Sequence, residues 1–234
     1  MRVAACLLAL CLPGAAAAAP SGLTTIPTAD VVPSGQWVAQ LQNGNTGIDA
    51  PGSLFQQPQP ALQGQAGLLR SRFEAGCDLV VLDSPTDYRP IVNLKALVLP
   101  EGYDWPAVAV GVAQVGHGFD AYYYAVASRT LNYASLQYQK FRAHHRNLKL
   151  RGIRLHAGVV GASGDPRGLA GTDIEWSEHF VLQADWISGH DRAATLGGTW
   201  VINPLTSVQV AAMRGNDSHR LDGLQLGVTR QFTW

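Results

Sequence analysis

Charge is scarce in this chain: Asp, Glu, Lys and Arg make up 15% of its 234 residues, 17 basic against 17 acidic. A neutral balance excludes the basic surface that a nucleic-acid partner needs, and it leaves no net field to steer a charged one. Cysteine is nearly absent, and two of the three, Cys6 and Cys11, lie close to the amino terminus. If that stretch is removed on export, Cys77 has no intramolecular partner and no disulfide framework holds the fold. Beyond the first residues there is also no apolar run near the roughly 20 residues of a membrane helix. Yet 47% of the chain is hydrophobic. A life in lipid would therefore require strands, because only helices and closed barrels satisfy every backbone group there.

The amino terminus carries Arg2, an apolar stretch from Val3 to Leu12, then Pro13-Gly14 and the small residues Ala15 to Ala19. That order is the n-region, h-region and cleavage site of a secretory signal peptide, and the apolar part is too short for an anchor. Leu10 stands before Cys11 where a lipoprotein signal carries a small residue. Cleavage is expected after Ala18 or Ala19, giving a signal peptide over 1–19 and a single domain over 20–234. Roughly 215 residues remain, one domain by length.

The end of the chain alternates strictly. Leu224, Leu226, Val228, Phe232 and Trp234 share one face, broken only by Arg230, and Gln225, Gly227, Thr229, Gln231 and Thr233 share the other. Period-two alternation marks a strand, and a final strand ending in Phe-Thr-Trp resembles the terminal signal by which bacterial outer-membrane barrels are recognised for insertion. Leu226, Val228, Phe232 and Trp234 are the residues expected to carry it. The pattern recurs in pieces of about ten residues, the length of a tilted membrane strand. Strands are expected over 205–213, 193–202, 180–188 and 169–176, and, less cleanly, over 36–42, 61–70, 73–82, 89–99, 106–115, 120–130 and 150–160. With the last strand the total is about 12, an even number, which puts both termini in the periplasm. The fold class is thus all-β, a transmembrane antiparallel barrel, with short turns such as Asn203-Pro204 and Ser177-Glu178-His179 opposite longer polar loops. Segment 131–149, holding His144 and His145, is long for a turn on its side. Trp37, Trp105, Trp176, Trp200 and Trp234 fall at the periplasmic rim in this register, and Trp186 at the outer one, as amphipathic rings should.

The opening Gly22-Leu23-Thr24-Thr25-Ile26-Pro27-Thr28-Ala29-Asp30 with Pro33-Ser34-Gly35-Gln36-Trp37, together with Phe73 to Asp78, Asn93-Leu94-Lys95, Pro106 to Gly111 and Ala127-Ser128-Arg129, resembles YjbH-like outer-membrane barrel proteins. The likeness covers most of the mature chain through short motifs. It implies an outer-membrane protein without an established enzymatic activity, linked in some members to exopolysaccharide production; this chain is shorter than the larger members.

If the apolar faces look to lipid, the opposite faces list the lumen: Glu74, Asp78, Asn93, Lys95, Arg154, His156, Asp173, Glu175, Gln183 and Asp185. Acidic and basic groups fall on neighbouring strands, Glu74 and Asp78 beside Lys95, and Arg154 beside Asp173 and Glu175. Such cross-strand pairs stiffen a small barrel. Long side chains at Arg154 and Lys95 leave at most a narrow channel. The expected function is therefore a narrow channel or envelope component, with outer-membrane lipid, the barrel-assembly machinery and a small solute or polysaccharide as partners, and with no cofactor or metal. Two alternatives stay open. One is an outer-membrane lipid or lipopolysaccharide hydrolase, with His156 and Ser163 or His117 and Ser128 as candidate pairs; the other is a soluble periplasmic β-barrel carrier that packs its apolar faces inward. No nucleophile elbow, zinc motif or phosphate loop is present. His144-His145 reads as a solvated basic loop, and Cys77 as an inert small hydrophobe on the apolar face of its strand.

Overall fold

In the computed structural model, the described residues are 23–44, 61–81, 88–116, 121–131, 152–161, 166–189, 193–216 and 223–234. The signal peptide, His117, His144, His145, Ser163 and nearly all of segment 131–149 lie outside them. The described residues form 12 strands: β1 (Gln36–Gly44), β2 (Ala61–Leu68), β3 (Phe73–Val81), β4 (Tyr88–Leu99), β5 (Ala107–Val115), β6 (Tyr122–Thr130), β7 (Gly152–Gly161), β8 (Arg167–Ser177), β9 (Phe180–Ile187), β10 (Ala193–Asn203), β11 (Thr206–Gly215) and β12 (Gly223–Thr233). Each pairs antiparallel with its sequence neighbours, and β1 pairs with β12 to close the barrel. Closure leaves no strand edge unpaired, which is what a sheet inside lipid requires.

All 12 strands stand where alternation places them, with ends shifted by a few residues. β2 stops at Leu68 rather than Arg70 because Leu69, Arg70 and Ser71 all adopt left-handed backbone, with φ between 49° and 61°. Three consecutive residues in that conformation turn the chain out of the ladder. The turns at 69–72, 100–106, 178–179 and 204–205 lie on the same side as the start of β1 and the end of β12. This is the turn side; it corresponds to the expected periplasmic rim.

Side-chain exposure is inverted relative to a soluble domain. Outward positions are large and apolar, with Leu41, Leu62, Leu94, Val159, Leu196 and Leu224 each 44% or more exposed. Inward positions are polar and buried: Gln40, Gln63, Gln209, Gln225, Thr229 and Gln231 on the wall formed by β11, β12, β1 and β2. A soluble barrel would gain nothing from this arrangement, whereas lipid solvates the outer face and the lumen satisfies the inner one. Trp37, Trp105, Trp176, Trp200 and Trp234 all sit exposed at the turn side, and Trp186 lies near the opposite end. Trp37 stacks on Phe232 at 4.0 Å across the β1–β12 seam.

Candidate functional site: a plugged lumen

The lumen is not empty. Residues 23–35, which precede β1, run through it and then turn at Gly35, whose φ of +85° lets the chain double back into β1. Leu23, Ile26, Ala29 and Val32 are each 7% exposed or less. Three of them, Leu23, Ile26 and Ala29, join a small apolar cluster with Ala109, Tyr122, Tyr124, Val126, Val160 and Leu169, inward residues of β5 to β8. The wall therefore has two sectors. One is apolar and receives the plug; the other, described above, is lined by amides and hydroxyls.

Polar wall groups hold the plug by its backbone. Asp185 of β9 accepts hydrogen bonds from the Thr25 N–H, at 3.0 Å, and from the Thr25 hydroxyl. Ser128 Oγ accepts from the Ala29 N–H at 2.8 Å. Glu74 Oε2 accepts from the Val32 N–H at 2.8 Å, and Ser71 Oγ from the Ser34 N–H at 2.8 Å. Lys95 Nζ donates to the Asp30 carbonyl at 2.8 Å and lies 3.6 Å from Glu74. A segment that makes isolated bridges at Pro27 and Ser34 but no strand ladder thus finds many of its backbone bonds in side chains.

The plug's one charged side chain among residues 23–35 is Asp30. Arg154 grips it with a fork, Nε to Oδ2 at 3.1 Å and Nη2 to Oδ1 at 2.9 Å. Arg154 Nη1 is held from behind by Glu101, in the turn between β4 and β5, and by Thr130 Oγ1. Glu101 in turn accepts from the Thr130 N–H at 2.6 Å. Burial pushes the Glu101 carboxyl up, but the Thr130 N–H and the Arg154 guanidinium outweigh it and hold the carboxyl below the usual glutamate range.

A second array crosses six strands, β6 to β11. Ser128 Oγ lies 2.7 Å from His156 Nδ1, and His156 Nε2 lies 3.1 Å from Asp173 Oδ2. Gln183 donates to the other Asp173 oxygen at 3.0 Å and accepts from Thr199 and Gln209. Ser128 and His156 are almost fully buried, so the array ends on the plug: with the hydroxyl directed at His156, Ser128 Oγ keeps a lone pair for the Ala29 N–H.

The lumen residues named from the sequence all fall on inward positions, but their partners differ from those expected. Glu74 does face Lys95 across the β3–β4 ladder. Asp78 instead takes the Asn93 amide at 2.7 Å, and Asn93 Oδ1 accepts from the Gln114 N–H at 3.0 Å. Arg154 sits opposite Asp173 in register yet reaches Asp30 and Glu101, leaving Asp173 to His156; Glu175 is exposed at the turn-side end of β8. Each of the serine and histidine pairs expected from the sequence includes a residue outside the described ones, His117 or Ser163; among the described residues Ser128 meets His156. Cys77 faces outward and is exposed. The plug itself was legible only as an apolar residue at every third position, Leu23, Ile26, Ala29 and Val32, a spacing that fits neither a strand nor a solvated linker.

No family model matches this chain, and no curated protein is similar to it. Among solved structures it is similar to KdgM porin, at a TM-score of 0.52 with 8% identity, over 84% of this chain and 99% of that one. The same values hold for KdgM porin in complex with disordered oligogalacturonate. Outer membrane phospholipase A from Escherichia coli aligns at a TM-score of 0.42 with 9% identity, over 86% of this chain and 94% of that one. The likeness to KdgM porin is one of fold, and the fold is that of an outer-membrane barrel.

Proposed function

We propose that this protein is an exported, non-enzymatic outer-membrane channel whose lumen is kept shut by its own residues 23–34. The observation that carries the reading is the plug: a lumen wall of amides and hydroxyls, suited to hydrated solutes, sits beside a segment held by replaceable hydrogen bonds rather than built into the sheet. Polysaccharide or oligosaccharide passage fits that wall and agrees with the YjbH-like motifs; KdgM porin, of similar fold, has been captured with an oligogalacturonate. Insertion would depend on the barrel-assembly machinery reading the carboxyl-terminal strand. Conductance across planar bilayers tests the channel. The mature chain is expected to be nearly silent, and a form lacking residues 20–34 to give steady openings. Silence of the deleted form, when it remains heat-modifiable on a gel, would mean a closed scaffold.

A hydrolase is the second reading, favoured by the Ser128–His156–Asp173 geometry, which matches a nucleophile, base and orienting carboxylate in order. Ser128 is 0% exposed and capped by the Ala29 N–H, so the array serves the plug in this state. Labelling of Ser128 by a fluorophosphonate in the plug-deleted form would favour the enzyme.

A further inference from the structure

We propose that Arg154 is a carboxylate-binding site for the solute, occupied in the closed state by the chain's own Asp30, so that a carboxylated sugar arriving from the turn side displaces the plug. This rests on the channel reading above and names its solute class.

The geometry of the grip carries the argument. A guanidinium presenting Nε and Nη2 to the two oxygens of one carboxylate is the planar, two-point recognition that arginine offers to carboxylate ligands and lysine does not. The fork does not depend on Asp30 for its orientation, because Glu101 and Thr130 hold Nη1 from the other edge. Access is also one-sided: the Arg154 side chain is 19% exposed, while that of Asp30 is 51% exposed. Water, and a solute dissolved in it, therefore reaches the carboxylate half of the pair while the guanidinium stays anchored.

Charge selects the ligand class. Replacing Asp30 by another carboxylate leaves the local charge unchanged. Replacing it by a neutral sugar or a cation leaves a half-buried guanidinium short of a partner, a cost comparable to that of an unsatisfied charged donor. Asp30 is also the anchor that a solute carboxylate can replace in kind, since the other polar plug contacts are made by peptide groups and hydroxyls that donate to the wall, or by peptide carbonyls that accept from Lys95 and Gln225. An internal ligand competes at an effective concentration in the millimolar range. A single carboxylated sugar must match that level, whereas a polymer bearing one on every unit displaces Asp30 at lower concentration.

The test uses the full mature chain in liposomes with Cys77→Ser and Val32→Cys, so that a water-soluble maleimide reports plug exposure. Sodium glucuronate is compared with glucose and with sodium chloride at equal ionic strength. Glucuronate is expected to speed labelling by about tenfold or more, the factor that one charge-assisted hydrogen bond represents, with no effect of the other two. Arg154→Gln should label fast in every condition, with the glucuronate effect gone; Arg154→Lys, which keeps charge but loses the fork, should retain only a small part of it. Equal responses to chloride or glucose, no response at all, or a full response in Arg154→Lys would overturn the site. Arg154→Lys decides the matter if Arg154→Gln fails to fold. If the plug-deleted form conducts while glucuronate does nothing, the carboxylate site falls and the channel stands; if that form is silent, both fall.

Discussion

At Gly67 only a hydrogen atom fits. A Cβ there would meet the Val32 carbonyl oxygen at 2.0 Å and the Pro33 carbonyl oxygen at 2.3 Å, both backbone atoms of the plug. At Gly171 a Cβ would meet Leu23 Cδ1 at 2.4 Å and Ile26 Cδ1 at 2.7 Å, the ends of rotatable side chains. Gly67→Ala is therefore expected to expel the lower plug while the barrel still forms, and Gly171→Ala to be accommodated by rotamer changes; maleimide labelling of Val32→Cys in a Cys77→Ser background ranks the two. The same readout gives the sign of the pH effect. The Glu101 carboxyl is held below its ordinary range, so the stability it lends is present above that range and is lost as the pH falls through its lowered value. Labelling should stay slow at neutral and mildly acidic pH and accelerate only below the usual glutamate range. Glu101→Gln should remove the part of that acceleration due to Glu101, leaving what Asp30, Glu74 and Asp185 contribute.

Among elements, β12 has two tasks, since it closes the sheet and carries the terminal aromatic pattern. Its register against β1 runs from Gln36↔Thr233 to Gly44↔Gln225, and the Trp37–Phe232 stack clamps the rim end of that seam. Phe232→Ala removes a contact worth about 0.5–1.5 kcal/mol beyond the area it buries. The expected result is a lower barrel melting temperature in heat-modifiability gels and slower insertion into membranes containing the assembly machinery, with no change in plug labelling. β6 shows why the lumen was read only in part. Tyr122, Tyr124 and Val126 point inward, and Tyr123 points out with 68% exposure, so an apolar run with apolar residues on both faces hides which face is which. Those three inward side chains exist to pack Leu23, Ile26 and Ala29, and a strand considered without its plug gives no reason for them.

For the whole molecule, the governing fact is that its large apolar side chains face out. Val210 on β11 is 46% exposed near the middle of its strand. Val210→Arg is expected to cost about 2–4 kcal/mol in a bilayer. In a water-soluble barrel the same change would be neutral, so denaturant titration in lipid against detergent-free buffer separates the two. Strand number, strand limits to within a few residues, the alternation of faces and the tryptophan rim were determined by the sequence alone, because a period of two and the chemistry of turns act over only a few neighbours. Glu74, Asp78, Lys95, Arg154, His156, Asp173 and Asp185 could likewise be assigned to the lumen by parity. Their partners could not. Arg154 meets Asp30 across 124 positions of sequence, Thr25 meets Asp185 across 160, and Ser128 meets His156 across a connection of some twenty residues. Such pairings depend on where a segment with no strand period comes to rest inside a closed wall. Only the tertiary structure decides that, because burial of four apolar side chains and satisfaction of the plug's backbone groups require wall residues from β2 to β9 at once.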